Sequence, residues 1–302
     1  MAASGKAAFP AIGPAAWQAT RRPVYDGGGA GGAGFQRILD QLSTTPVGAW
    51  SLARRRTAPY EGPLVRLRRG SDNAESDFGA DGNGDLETAS IGVWLGAATG
   101  FTVRAYDQSG GGNDLVQATP SSQLQYSASA VGARPGGGGA TGRYLQISGA
   151  AAIDNLPPDG MCIHAVARAG ATVSNFQRAR KNWAGNGWRL IGLFSVTDAA
   201  GTARTSTGPT STLGNTDYVD TVNYDGTYGP NAVTWRRNGG VQPIIGPSGG
   251  TGFVDDSSQA LWAFYTDNQT TQQGAELVLF ATVLSAADLQ MLNDDATNYY
   301  GA

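Results

Sequence analysis

Cysteine is all but missing: Cys162 stands alone in 302 residues, which excludes an intrachain disulfide and any metal site built from several thiolates. Histidine is as scarce, with His164 the sole imidazole, so a histidine-based acid and base relay would rest on one residue. Lysine is confined to Lys6 and Lys181, and the other 19 of the 21 basic residues are arginine. Charged residues make up 15% of the chain, well under the usual fraction of about a quarter. With a formal charge of −3 and a pI near 5.2, the whole-chain field gives no reason to expect nucleic acid or an anionic membrane as partner. No run approaches the ~18 apolar residues of a membrane span, and Met1 to Trp17 holds no continuous apolar segment. The expectation is therefore a soluble protein made in the cytoplasm without a signal peptide.

Glycine is abundant instead, at 45 residues. The glycines fall in clusters and not at every third position, which excludes collagen, and 40% apolar content argues against wholesale disorder. Gly27 to Gly34 reads GGGAGGAG, a flexible linker by composition. Residues 1–45 are accordingly read as an N-terminal arm, and 46–302 as the folded domain. Within the arm, Phe35, Ile38, Leu39 and Leu42 sit at i, i+3, i+4 and i+7, one apolar helical stripe too short to stand alone. It docks either on its own domain or on another subunit.

From Val47 onward, short apolar runs are punctuated by Gly, Pro, Asn and Asp. Strands are expected near residues 64–69, 101–106, 144–147, 161–167, 189–195, 217–224, 232–236, 260–265 and 275–282. Helices are expected at 86–95 and at the end of the chain, where Ser285 is a suitable N-cap, Asp288 occupies N3 and Leu284 can staple to Leu289. Many strands with little helix between them indicate an all-β antiparallel sandwich or jelly roll.

Arg54, Arg55, Arg56, Arg66, Arg68 and Arg69 form the densest basic cluster, with enough acidic residues between Glu61 and Glu87 to neutralise it locally. Asp81, Asn83, Asp85 and Glu87 place oxygen side chains at every second position; calcium is conceivable there, and plain turn chemistry is the alternative. Gly137, Gly139 and Gly142 satisfy G-x-G-x-x-G but lead into the strand-like run from Arg143 to Ile147, so a phosphate loop is not expected. His164 lies in a nearly continuous apolar run beside Cys162, which points to a satisfied core imidazole. Carboxylate pairs, the apparatus of glycosidases, remain for catalysis. The segment from Gly214 to Gly229 interleaves Tyr218, Tyr224 and Tyr228 with Asp217, Asp220, Asn223 and Asp225. Rings and carboxylates in that arrangement suit a sugar; an ordinary strand and hairpin with half-buried tyrosines is the alternative. The expected carbohydrate surface is Tyr218, Asp220, Tyr224 and Tyr228, with Trp183 or Trp188 as a neighbouring wall. No cofactor beyond the calcium candidate is expected.

The run from Ser51 to Arg55, Tyr60 to Asn73, Gly84 to Thr88, and above all Tyr106-Asp-Gln-Ser-Gly-Gly-Gly-Asn113 resembles the N-terminal half of the catalytic domain of α-L-arabinofuranosidase B. The resemblance implies a concanavalin A-like jelly-roll β-sandwich with short helices and a C-terminal helix, here preceded by an extended N-terminal arm. Glu276 to Phe280 followed by Leu284 to Asp288 is similar to the closing strand and helix of such domains. Similar blocks occur in fibre, spike and tail proteins of phages and phage-like particles. Carried over residue by residue, the resemblance gives Asp267, in Thr266-Asp267-Asn268, the role of catalytic acid and base. It sets Val222, in Asp220-Thr221-Val222-Asn223, where the enzymes hold their nucleophilic glutamate.

The resulting expectation is a structural receptor-binding subunit of a phage or phage-like particle. Its arm would contact other particle proteins and its jelly roll would bind cell-surface polysaccharide, on a particle surface and in a possible homo-oligomer. An arabinofuranosidase-type glycoside hydrolase and a purely architectural particle protein are the alternatives.

Overall fold

The computed structural model describes residues 37–154, 156, 160–169, 177–180, 187–190, 193–206, 214–253, 260–266 and 272–302. Residues 34–302 form one compact unit. Residues 1–36, and with them most of the expected arm and Phe35 of its stripe, lie outside the described residues.

Among the described residues every strand pairing is antiparallel. One sheet runs in the order β1 (Gly48–Ser51), β18 (Gln273–Phe280), β9 (Met161–Arg168), β14 (Asp217–Tyr224), β15 (Val233–Arg237) and β16 (Gly240–Val241). The other begins with β3 (Glu75–Phe78), β2 (Val65–Arg69), β4 (Gly100–Ala105), β5 (Leu115–Val116) and β8 (Arg143–Ile147). It continues through β17 (Leu261–Thr266), β10 (Gln177–Arg180), β11 (Trp188–Leu190), β12 (Phe194–Thr197) and β13 (Ala203–Thr205). The hairpin of β6 (Leu124–Val131) and β7 (Arg134–Gly138) joins them, β6 pairing with β4 and β7 with β18. The architecture is the expected jelly-roll sandwich with few, short helices and a C-terminal helix.

Register decides which side chains meet. Opposed residues point to the same face, so Trp50, Leu277, Ala165, Asp220 and Arg237 form one inward row, and Leu279, Ile163, Val222 and Trp235 the next. The intervening rows, such as Val278, His164 and Thr221, face outward. The inward rows merge into the main core with Leu145, Leu190, Phe194 and Ala263 of the opposite sheet.

The outward rows are covered by α4 (Ala286–Tyr300), whose Leu289 and Leu292 are buried beside Cys162, Val278 and Phe280. Each such leucine contributes about 1.5–3 kcal/mol of transfer free energy. Ser285 caps the helix, its hydroxyl accepting from the Asp288 N–H at 3.1 Å, and Leu284 joins Leu289 in the same cluster as the staple requires. Gly301 ends it in the left-handed region at φ 69°. The short helix α1 (Ile38–Gln41) docks here too, with Leu39 buried and Ile38 and Leu42 against the same cluster. Ile38, Leu39 and Leu42 of the stripe thus pack on their own domain.

Several elements depart from the sequence reading. The run 189–195 is not one strand but is divided between β11 and β12, which pair antiparallel. The second expected helix starts at Thr88, as α2 (Thr88–Leu95). The glycine-rich stretch is β7 turning into β8, and a Cβ at Gly136 would lie 2.6 Å from the Gly274 carbonyl oxygen, so glycine there lets β7 lie close against β18. A last helical turn, α3 (Ala151–Asp154), precedes β9.

Candidate functional site

Asp220 is the charged group that β14 sends into the core. Its Oδ1 accepts from Trp235 Nε1 and from Arg237 Nε, both at 2.7 Å, and its Oδ2 accepts from Arg237 Nη2 at 3.1 Å. All three side chains lie in neighbouring inward rows of β14 and β15, and the Arg237 guanidinium stands 5.2 Å from the Tyr218 ring centroid. Burial works against the Arg237 charge, but Asp220 more than offsets it and holds the guanidinium above its ordinary value. Charge is tolerated in an apolar interior when it is paired and hydrogen-bonded in this way.

The expected sugar platform is not assembled. Tyr218 is 2% exposed, Asp220 0%, Tyr224 1% and Trp188 1%, so they are core and not an open concave surface. Both faces of β14 are covered, the inner by the opposite sheet and the outer by α4, a double cover that strand alternation alone does not reveal. Tyr228 does come back beside Tyr224, with ring centroids 6.5 Å apart, but it is half-buried and its hydroxyl donates to the Gly252 carbonyl at 2.7 Å. Trp183 and Asp267 lie outside the described residues. Sequence reasoning missed Arg237 and Trp235; their alternation in Trp235-Arg236-Arg237, with an inward tryptophan two residues from an arginine, was the available signal.

The calcium candidates are turn chemistry. Asp81 Oδ1 accepts the backbone N–H groups of Asn83 and Asp85 at 2.8 and 3.0 Å. Asp85 is engaged by Arg134 at 3.3 Å and by the Tyr299 hydroxyl at 2.9 Å. Among the described residues no group of three or more His, Cys, Asp or Glu could hold a metal ion.

The arginine cluster divides in two. Arg66 and Arg69 pair locally with Asp77 and Asp72, each at 2.7 Å, as expected of a self-paired surface. Arg54 and Arg56 instead turn inward beneath α4. Arg54 reaches Glu276 and Asp295 at 2.7 Å each, and Arg56 reaches the same two carboxylates at 2.9 Å. Burial works to raise the Glu276 carboxyl, but Arg54 and Arg56 overcome it and hold it below the usual carboxylate range. His164 sits beside this quartet, fully buried, its Nδ1 2.9 Å from Thr221 Oγ1. Burial first, and Arg56 next, push its pKa down to about 3. It is the expected core imidazole, and burial likewise pushes the neighbouring Cys162 thiol up.

The most specific block of the resemblance is a structural clamp. The Asp107 carboxylate accepts from the N–H groups of Ala49, Ser109 and Asn113 at 3.0, 2.9 and 3.0 Å and from the Ser109 hydroxyl at 2.8 Å. Gln108 bonds the backbone of Arg56 and Arg54, and Asn113 that of Val47, pinning the loop to β1 and the segment after it.

Residues 38–170 match the family described as alpha-L-arabinofuranosidase B, catalytic. The chain is 35% identical over 88 residues to an alpha-L-arabinofuranosidase of Hypocrea jecorina, an alignment covering 29% of this chain and 18% of that protein. It is 36% identical over 89 residues to a probable alpha-L-arabinofuranosidase B of Aspergillus fumigatus, with the same two coverages, 29% and 18%. The matched stretch is thus less than a fifth of the length of these relatives. Among solved structures, an arabinofuranosidase complexed with arabinofuranosyl-alpha-1,2-xylobiose superposes with a TM-score of 0.59 at 14% identity, covering 86% of this chain and 64% of that one. A GH54 α-L-arabinofuranosidase soaked with a cyclic sulfate inhibitor gives a TM-score of 0.57 at 16% identity, with the same coverages of 86% and 64%. These findings overturn the expectation of a phage receptor-binding subunit, because the relatives are arabinofuranosidases, the reading set second on sequence. Over residues 38–170 the chain matches an arabinofuranosidase-B catalytic-type domain, and its sandwich has the fold of those enzymes.

Proposed function

We propose that the protein is a glycoside hydrolase of the α-L-arabinofuranosidase type, acting on α-L-arabinofuranosyl groups. The match of residues 38–170 to the catalytic family carries this reading. The resemblance assigns the acid and base role to Asp267, which follows Thr266, the last residue of β17. Asp220, fully buried and held by Arg237 and Trp235, is a structural carboxylate of the core.

In this reading Asp267 gives its proton to the glycosidic oxygen as the bond to the anomeric carbon breaks. Water then adds its oxygen to the carbon, and its proton returns to Asp267. Val222, at the position that the resemblance gives the nucleophilic glutamate, is buried between the sheets.

Leaving-group dependence tests the assignment. On arabinofuranosyl-xylobiose, whose alkoxide leaves poorly, Asp267→Asn is expected to lower kcat by roughly 10²–10⁴. On 4-nitrophenyl α-L-arabinofuranoside, whose phenolate needs little protonation, the loss should be far smaller. An equally small effect on both substrates would remove Asp267 from the chemistry.

A further inference from the structure

One buried member of the arginine cluster has no counter-charge. Arg68 of β2 is 9% exposed, and among the described residues neither it nor the half-buried Arg143 of β8 has a carboxylate within ion-pair reach. The carboxylates along this part of the sheet are engaged elsewhere, Asp77 by Arg66 and Asp72 by Arg69 at 2.7 Å each, and Asp114 by Arg104 at 3.3 Å. Glu75 opposes Arg68 across β2 and β3, but it is exposed, forms no ion pair among the described residues, and its charge acts on Arg66.

Neutral groups hold Arg68 and Arg143 instead, and two of them are shared. Arg68 donates from Nε to Gln123 Oε1 at 2.7 Å and from Nη1 to Asn73 Oδ1 at 2.8 Å, while Arg143 donates from Nη1 to the Gln123 carbonyl oxygen. Both guanidiniums stand over the Phe101 ring, 4.7 and 5.3 Å from its centroid. Gln123 is itself buried and anchored, its Nε2 donating to the Gln117 carbonyl at 3.0 Å. A guanidinium carries five N–H donors in a fork that matches an oxyanion. Most of them stay unused here, and Arg143 Nε is buried with no partner. Burial first, and the Arg68 charge next, hold the Arg143 guanidinium below its ordinary value, so the two cations repel. Like charges gathered on one ring away from water call for an anion to join them.

A third donor stands beside the pair. Gln125 of β6 is exposed and opposes Phe101 in register. A Cβ at Gly139, where φ is 107°, would lie 3.1 Å from the Gln125 side chain and 3.4 Å from that of Arg143; glycine lets the two come together. We propose that Arg68 and Arg143, with the Gln125 amide, form a binding site for one oxyanion, the group that a uronosyl carboxylate and inorganic phosphate have in common. Charge-assisted bonds from two forks, oriented by Gln123 and Phe101, would select it over a neutral ligand.

Calorimetric titration of the full chain at low salt tests the site with inorganic phosphate, methyl α-D-glucuronoside and the neutral methyl α-D-glucoside. Both anions should bind, more weakly as salt rises, and the glucoside should not. Tighter binding of the glucuronoside would name a uronosyl group as the source, and tighter binding of phosphate a free anion; either supports the site. Arg143→Gln should weaken both anions at least tenfold, as expected for loss of a charge-assisted contact of about 1.5 kcal/mol or more, whereas Arg66→Gln should change neither by more than twofold. A second measurement keeps the wild-type fold and decides if Arg143→Gln does not fold: phosphate should slow phenylglyoxal modification of Arg143, read by peptide mass spectrometry, and not that of Arg66. No binding of either anion by the wild type, equal binding of the glucoside, unchanged affinity of the folded Arg143→Gln variant, an equal loss in Arg66→Gln, or an unprotected Arg143 would overturn the site. The choice of a uronosyl probe rests on the hydrolase reading, and the phosphate arm does not. Failure of that reading is separate, appearing as no turnover of 4-nitrophenyl α-L-arabinofuranoside whatever the titrations show.

Discussion

His164 shows how far a single residue can be read. Its apolar neighbours in sequence predict burial, and it is buried; its partners Thr221, Glu276 and Arg56 come from distant segments that no local pattern names. Because its folded pKa lies near 3 and its unfolded value near 6.5, unfolding takes up a proton below pH 6.5. The stability from keeping it neutral is full above that pH and is lost as pH falls, at up to about 1.4 kcal/mol per pH unit. With one histidine in the chain, the window from pH 6.5 to 5 isolates it from the carboxylates. Urea midpoints should fall across this window in the wild type and stay level in His164→Gln; parallel curves would mean that the imidazole is not buried neutral.

The Asp220 and Arg237 pair is a second residue-scale case. Arg237→Met should cost about 3–5 kcal/mol by stranding a buried carboxylate, and adding Asp220→Leu should recover most of it. Equal stability of the single and double variants in urea titrations would show that the pair is not coupled.

At the scale of elements, the sequence was most legible where periodicity and capping agreed. The strands β9 and β14 and the helix α4 with its Ser285 cap and Leu284 staple follow from pattern alone. Two-residue strands such as β5 and β16 carry no period, and the glycines of β7 read as turn because the reason for them, contact with Gly274, lies far away in sequence. The alternation of β14 is legible too, but the cover on both its faces is not, and so its tyrosines read as a sugar platform. The bulge of β17 between Ala263 and Thr266 is not legible either, since it breaks the alternation by which a strand is read. The clamp at Asp107 gives an element-scale test. Asp107→Ala leaves the Ala49, Ser109 and Asn113 N–H groups without their acceptor, and should lower stability by on the order of 3 kcal/mol. A change below about 0.5 kcal/mol in denaturant titration would make that block dispensable to the fold.

For the molecule as a whole, the resemblance of one loop block proved a better guide than composition. A flexible arm and a sandwich without a legible catalytic pair suggested a particle protein, whereas the matched family and fold point to arabinofuranosidases. The fold itself decides little about chemistry; what ties this sandwich to the proposed glycoside cleavage is the match of residues 38–170 to the catalytic family. The central claim is that this chain cleaves arabinofuranosyl groups. Proton NMR of arabinofuranosyl-α-1,2-xylobiose incubated with the wild-type protein tests it most directly. Arabinose and xylobiose should appear in equal amounts at catalytic protein concentrations, whereas a trisaccharide left intact beside an equimolar amount of folded protein would contradict the claim.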